Sequence, residues 1–272
     1  MGTEENKYLA ADLKVEADQE RLTALEQTWD PTSIRHLKTI GVDLGWKCLN
    51  VGAGYGSITS WLAQVVGKTG KVVATDIRTE LHRQGIENVE IRQHDITKDN
   101  IEKNYYDLVL CRALLQHLSD PEVALLNMLN AVKPGGWILV EEMDNWTLQA
   151  ADTGNPNAEF FNNYVHEAFV VSKEKGLLDP GYARKLRVLF DGLNLFDIKN
   201  EGITHVFRGG ESWPMSIQAT FKAGRAALAD SFTPEKREYY QEIGEKADAL
   251  FADPSFYFVS GALFSTWGRK PI

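Results

Sequence analysis

The sequence predicts an α/β fold, a parallel sheet with helices on both faces, and three observations carry that expectation. Short apolar runs at 48–51, 72–75, 106–111 and 137–142 are separated by helical patterns, as strand-helix-strand units require. Residues 48–56, Cys-Leu-Asn-Val-Gly-Ala-Gly-Tyr-Gly, run the first strand into a glycine-rich bend and then a helix at 57–66. About twenty residues after Gly54, Val72-Val73-Ala74-Thr75-Asp76 reads as a second strand ending in a carboxylate, an arrangement that holds a ribose diol.

The bend explains itself chemically. Glycine has no Cβ to block a ligand and adopts positive φ freely, so the backbone at 52–56 can approach a bound molecule. An adenosine-containing ligand is the expectation. The glycines Gly52, Gly54 and Gly56 spell G-x-G-x-G, whereas the dinucleotide fingerprint places its third glycine where Ser57 stands. No tyrosine is followed four residues later by lysine, so the Tyr-x-x-x-Lys pair of short-chain nicotinamide enzymes is missing.

A third strand at 89–94 ends in Asp95, and a fourth at 106–111 precedes a helix-like stretch at 112–118. Ala131-Val132-Lys133-Pro134-Gly135-Gly136 then turns into a fifth strand at 137–142. Acidic or polar strand ends thus gather on one edge of the sheet, where ligands of such folds sit.

Taken in order, Leu49-Asn50-Val51-Gly52-Ala53-Gly54-Tyr55-Gly56, Val73-Ala74-Thr75-Asp76, His94-Asp95-Ile96, Tyr106-Asp107-Leu108-Val109 and residues 129–139 resemble a class I S-adenosylmethionine-dependent methyltransferase, nearest its bacterial ubiquinone/menaquinone-methylase-like branch. The resemblance covers roughly residues 30 to 145. It implies a Rossmann-like, seven-stranded, mostly parallel sheet, S-adenosylmethionine as cofactor, and methyl transfer to a small organic acceptor whose reacting atom is not assigned. By residue, it implies that Gly52 and Gly54, with Ala53 and Gly56 in the same bend, admit the methionine part. Asp76, with Ile77 beside it, would accept both ribose hydroxyls; Asp95 would accept from the adenine amino group, with Ile96 against the ring; Arg112 would lie beside the methionine moiety. One departure is visible: about a dozen residues separate Asp76 from Val89, so the usual helix there shrinks to two turns around 78–84. Two other readings keep the fold, a cofactor-bound enzyme that promotes a non-methylating cyclisation or rearrangement, and a regulatory subunit.

Composition narrows the partners. A formal net charge of −9, with no lysine- or arginine-rich run, opposes a phosphate backbone. There is no Pro-Pro-Tyr triplet, and neither Cys48 nor Cys111 follows a proline, so no nucleic acid is expected as substrate. The two cysteines fall on buried strands and read as core residues. The acidic start of the chain lacks an apolar signal segment and no apolar run approaches bilayer length, so no membrane partner and a cytoplasmic location are expected.

Outside the core pattern, residues 8–26 read as an amphipathic helix, with Asp30-Pro31 as cap and first residue of a second helix at 32–40. Residues 1–29 are expected to cover the cofactor site, with Tyr8, Gln27 and Trp29 as contacts. The core is expected at 30–143, 178–208 and 253–272, including a helix at 182–189 and strands at 196–207 and 256–267. Residues 144–177 and 209–252 form an inserted helical cap, whose aromatics, among them Trp146, Phe169 and Trp213, pack on the core or line a pocket for a flat or apolar acceptor. Caps of this size can also serve as homodimer faces.

Methyl transfer needs a base only when the acceptor must lose a proton. His117, after the fourth strand, and His166, in the cap, are the catalytic candidates; His117 can equally close a short helix by bonding a carbonyl. Glu141 and Glu142 alternate across a strand and point to opposite faces. The six histidines form no His-Glu-x-x-His, and Asp144-Asn145 alone is too little for a magnesium site, so no metal is expected.

Overall fold

The computed structural model describes residues 14–272. Five strands, β1 (Lys47–Val51), β2 (Lys71–Asp76), β3 (Val89–Gln93), β4 (Tyr106–Arg112) and β5 (Val132–Asp144), alternate with helices α1 (Val15–Ile40), α2 (Ser57–Val66) and α3 (Pro121–Ala131). After a two-residue strand β6 (Gln149–Ala150) come α4 (Ala158–Glu174), α5 (Leu186–Asp191), β7 (Phe196–Ile203), β8 (Val206–Arg208), α6 (Ser212–Leu228), α7 (Pro234–Ala252), β9 (Tyr257–Val259) and β10 (Ala262–Arg269). The main sheet has seven strands in the order β3-β2-β1-β4-β5-β10-β7, all parallel except β10, which runs against both neighbours. The expected α/β, mostly parallel seven-stranded architecture is therefore present.

Strand periodicity sorts the core into two layers. Cys48, Leu108 and Leu110 face α2 and the end of α1, packing on Leu37, Leu62 and Val66. Their chain neighbours Leu49, Val109 and Cys111 face the other way, against Leu125 and Met128 of α3 and Phe190 of α5. Central strands buried on both faces read as continuous apolar runs. Both cysteines are buried and free.

Register delivers the site. Val51 pairs with Thr75 on one side and Cys111 on the other, so β1, β2 and β4 end at one level. Asp76 pairs with Gln93 and Arg112 with Glu141, which adds the ends of β3 and β5 to the same edge.

Four expectations need correction. The two helices expected before the sheet are one 26-residue helix that passes through Pro31, so the segments expected on either side of residue 29 share it. Proline removes one backbone donor, but Trp29, Ser33, His36, Leu37 and Ile40 bury one continuous stripe across it. Asp30 does not start a helix of its own; its carboxylate is bound to Ser57 and Arg112. The helices expected around 78–84 and 112–118 are single 3₁₀ turns, Thr79–Leu81 and Leu115–His117.

The last two expected strands each break in the middle. Ser260 Oγ accepts the His205 N–H at 3.0 Å while the Ser260 N–H donates to the His205 carbonyl at 2.9 Å. Beyond this clasp the chain leaves the main sheet, and β9 pairs with β8 on one side and β6 on the other as a second, three-stranded sheet. The cap is thus part sheet, with Phe161 packed among Phe251, Phe256 and Phe258 at ring distances of 5.1 to 5.3 Å. Among the described residues no helix is long and apolar enough to cross a membrane.

Candidate active site

The strand ends open into a cavity of about 520 Å³, roofed by α1, α4 and α6. Gly52, Gly54 and Gly56 all hold positive φ, at 65°, 56° and 94°. Their surroundings differ. Gly54 looks across the cavity, where a Cβ would meet only Leu22, at 3.8 Å, and its N–H donates to Asp76 Oδ2 at 2.9 Å. A Cβ on Gly52 would come to 3.0 Å from Leu114. A Cβ on Gly56 would come to 2.5 Å from His82 Nε2, so this glycine makes room for a buried histidine and does not line the cavity. Of the three glycines expected at the cofactor, it is the one the structure places away from the cavity.

Asp76 accepts from Gly54 with one oxygen and from the Arg78 N–H at 3.0 Å with the other. A carboxylate has about four acceptor positions, so each oxygen keeps capacity toward the cavity that it lines. Burial raises the pKa of this carboxyl, and the backbone donors oppose that shift. Asp95 also lines the cavity, but Thr97 N–H and Oγ hold its Oδ1 at 2.9 and 2.6 Å and Lys98 holds its Oδ2 at 3.1 Å. Burial works against the Asp95 charge, and these donors outweigh it, leaving the pKa lowered. Ile96 is buried on the cavity wall and Ile77 is half exposed at its rim.

Where the helix between β2 and β3 is missing, α1 takes its place. Asp18, fully buried, pairs with Arg21 at 2.6 Å and Arg78 at 3.0 Å, and Gln19 donates to the Leu81 carbonyl at 3.3 Å. Glu26 accepts the Ser57 N–H at 2.9 Å and pairs with Arg83 at 2.9 Å. One turn on, Asp30 accepts from Ser57 Oγ at 3.0 Å. α2 has no side-chain cap of its own, so two carboxylates of α1 serve its positive end. Of the expected α1 contacts, Trp29 lines the cavity, Gln27 is exposed and away from it, and Tyr8 lies outside the described residues.

After β4, Ala113 holds positive φ of 52°. Glu142 bonds the turn that follows, accepting the N–H groups of Leu114 and Leu115 at 2.9 and 2.6 Å. Burial pushes the Glu142 carboxyl up to about 7. Glu141, on the opposite face as alternation requires, points to the α1 side and touches the cavity. Arg112 lines the wall, donating to Ser33 Oγ and Asp30 Oδ1, each at 2.9 Å.

The two candidate histidines part company. His117 lies on the cavity wall, but burial draws its pKa down to about 4, against a hydrogen bond to the Leu177 backbone that raises it. That is a neutral, carbonyl-bonded imidazole. His166 is exposed, beside Trp146 at a ring distance of 5.2 Å, and does not line the cavity. Its helical phase turns it outward, while Phe161, Tyr164, Val165 and Phe169 take the buried face of α4. The cap side of the cavity is walled by Met143, Leu148, Phe169, Trp213, Ile217 and Phe221, with Gln116, Asn145 and Thr220 as uncharged polar groups. Arg21, Leu22, Tyr55, Ile217 and Phe221 do not stand out in the sequence, although Leu22, Leu25, Glu26 and Trp29, like Trp213, Ile217, Thr220 and Phe221, fall at helical spacing.

Comparison with known proteins agrees with this geometry. Residues 49–140 match the family model described as a methyltransferase domain. The ubiquinone/menaquinone biosynthesis C-methyltransferase UbiE of Ectopseudomonas mendocina is 33% identical over 125 residues, covering 43% of this chain and 46% of that protein. The chain thus spans about half the length of the curated relatives it matches. Among solved structures, the YcgJ protein of Bacillus subtilis aligns with a TM-score of 0.53 at 16% identity, over 87% of this chain and 97% of that one. Phosphoethanolamine N-methyltransferase 2 of Haemonchus contortus aligns with a TM-score of 0.51 at 15% identity, over 92% and 57%. These two likenesses speak for the fold alone. Sheet order and glycine bend agree with the matched methyltransferase domain, which spans residues 49–140 of this chain.

Proposed function

We propose that this protein binds S-adenosylmethionine along Gly52–Ala53–Gly54 and Asp76 and catalyses transfer of its methyl group to a small acceptor with a flat or apolar body. The observation that carries the reading is the Gly54–Asp76 hydrogen bond, which fixes a bare bend beside a carboxylate that keeps spare acceptor capacity. Asp76 would hold the ribose, Asp95 and Ile96 the adenine side, and Arg112 would stand beside the methionine part. When bound, the cofactor supplies an electrophilic methyl on a sulfonium. The chain's own contribution is to align the acceptor and exclude water. With His117 neutral and carbonyl-bonded, and Glu141 engaged by Ser33, His36 and Ser265, the acceptor is read as arriving ready to attack. A net charge of −9 and the uncharged wall of the acceptor end favour a small molecule over a polynucleotide.

Calorimetric titration tests this. S-adenosylmethionine and its demethylated product should both bind the purified chain, and label should pass from methyl-labelled cofactor to a metabolite in an extract. Binding of NAD with neither of these ligands would overturn the assignment.

A further inference from the structure

Behind Arg112 a file of polar side chains crosses the molecule from the cavity to the surface. Arg112 donates to Ser33 Oγ at 2.9 Å, and the Ser33 hydroxyl bonds Glu141 Oε2. Glu141 Oε1 meets His36 Nδ1 at 2.9 Å and accepts from Ser265 Oγ at 2.9 Å. His36 Nε2 meets Glu201 Oε2 at 2.6 Å, and Glu201 also pairs with Arg35. Ser33, His36, Glu141 and Ser265 are each at most 1% exposed, whereas Glu201 lies on the edge strand β7 and reaches solvent.

Burying this many polar groups is costly unless all are satisfied. An imidazole flanked by a carboxylate on each nitrogen satisfies both only when both nitrogens carry a proton. Resting on the cofactor reading above, we propose that His36 is a positioning residue for the cofactor site: as an imidazolium it ties Glu141 to Glu201 and, through Ser33, sets the Arg112 guanidinium at the cavity wall, so that cofactor affinity depends on the His36 proton.

The groups facing His36 are Glu141 of β5, Glu201 of β7, Arg35 of its own helix and the Trp267 ring of β10 at 4.7 Å. Burial and Arg35 work against its charge, the two carboxylates work for it, and the balance raises its pKa above 6.5. The proton is therefore held below that value and lost as pH climbs through the raised pKa. Once it is lost, one nitrogen lone pair faces a carboxylate, so the imidazole can no longer donate to Glu141 and Glu201 together. Ser33 has a second acceptor within reach, the Trp29 carbonyl at 3.3 Å, to which its hydroxyl can turn. Arg112 also holds Asp30, which binds Ser57 at the start of α2, so the displacement reaches the glycine bend.

The test is calorimetric binding of S-adenosylhomocysteine from pH 6 to pH 9 by the wild type, Glu201→Gln and His36→Gln. Wild-type affinity should fall about tenfold through a one-proton midpoint above 6.5. Glu201→Gln alters only the solvent-reaching end and should move that midpoint down, because a carboxylate that favours the proton is removed. His36→Gln should bind at the weak, high-pH level throughout; if it does not fold, the Glu201→Gln comparison decides alone. Flat wild-type affinity overturns the proposal, as does a Glu201→Gln loss equal at every pH with the midpoint unmoved, which is the mark of a merely structural role. A wild type that binds at no pH overturns the cofactor reading itself, a result distinct from either.

Discussion

At one end the cavity is walled by backbone and strand ends, and at the other by side chains of an inserted cap. The strand-end side draws Gly52, Gly54, Asp76, Asp95 and Arg112 from the edges of adjacent strands, so strand register alone brings them together. The cap side draws Met143, Phe169, Trp213 and Phe221 from elements far apart in sequence, held by aromatic packing such as Phe221 against Tyr164 and Phe169 at 5.5 and 5.4 Å. Hydrogen bonds with fixed donors dominate the first end, and apolar area the second. The first should tolerate little substitution without losing ligand, and the second should lose stability before it loses cofactor.

The sharpest break of that contrast is Asp76→Ala. Removing a charged acceptor from two ribose hydroxyls should weaken S-adenosylhomocysteine binding by about 30-fold or more, measured by calorimetry. Next is Gly56→Ala. The residue sits at φ 94° and its Cβ would lie 2.5 Å from His82 Nε2. About 2 kcal/mol of stability should be lost, read as a melting temperature several degrees lower. Phe221→Leu probes the other end: about 1 kcal/mol of stability should go, with cofactor affinity within about twofold of wild type.

A pH experiment separates the two buried groups around the turn after β4. Glu142 has its folded pKa raised from 4.5 to about 7, so the folded state holds the extra proton and stability falls as pH rises across that window. His117 has its folded pKa lowered from 6.5 to about 4, so the unfolded state holds the extra proton and stability rises as pH rises across that one. Where the windows overlap the two slopes cancel. Glu142→Gln keeps an acceptor for Leu114 and Leu115 and removes one slope. Its stability should therefore gain on wild type by about 1.4 kcal/mol per pH unit through the overlap, measured by urea unfolding. Parallel curves would contradict the assignment. The smallest effect belongs to His166→Ala, which should change stability by less than about 0.5 kcal/mol and leave methyl transfer intact.

The same contrast explains what is readable in the sequence. Gly52, Gly54 and Asp76 announce themselves because each follows a short apolar run, Asp95 because it ends the alternating segment 89–94, and their placement needs only strand pairing. α1 is less legible because Pro31 carries a strong local start signal, which the buried stripe from Trp29 to Ile40 overrides. The breaks after Ile203 and before Ala262 are hidden because the Ser260–His205 clasp is long-range and leaves no local mark. His166 draws notice for its aromatic neighbours, yet only helical phase decides which way it faces. Gly56 shows the reverse case, a glycine in the same bend whose bare Cα faces a buried histidine and not the cavity.

A crystal structure with S-adenosylhomocysteine tests the central claim most directly. Both ribose hydroxyls should lie within hydrogen-bond distance of Asp76, with the Gly52–Gly54 backbone against the amino-acid part and the adenine between Ile77 and Ile96. A ligand seated elsewhere, or an Asp76 carboxylate still bonded only to Gly54 and Arg78, would contradict it.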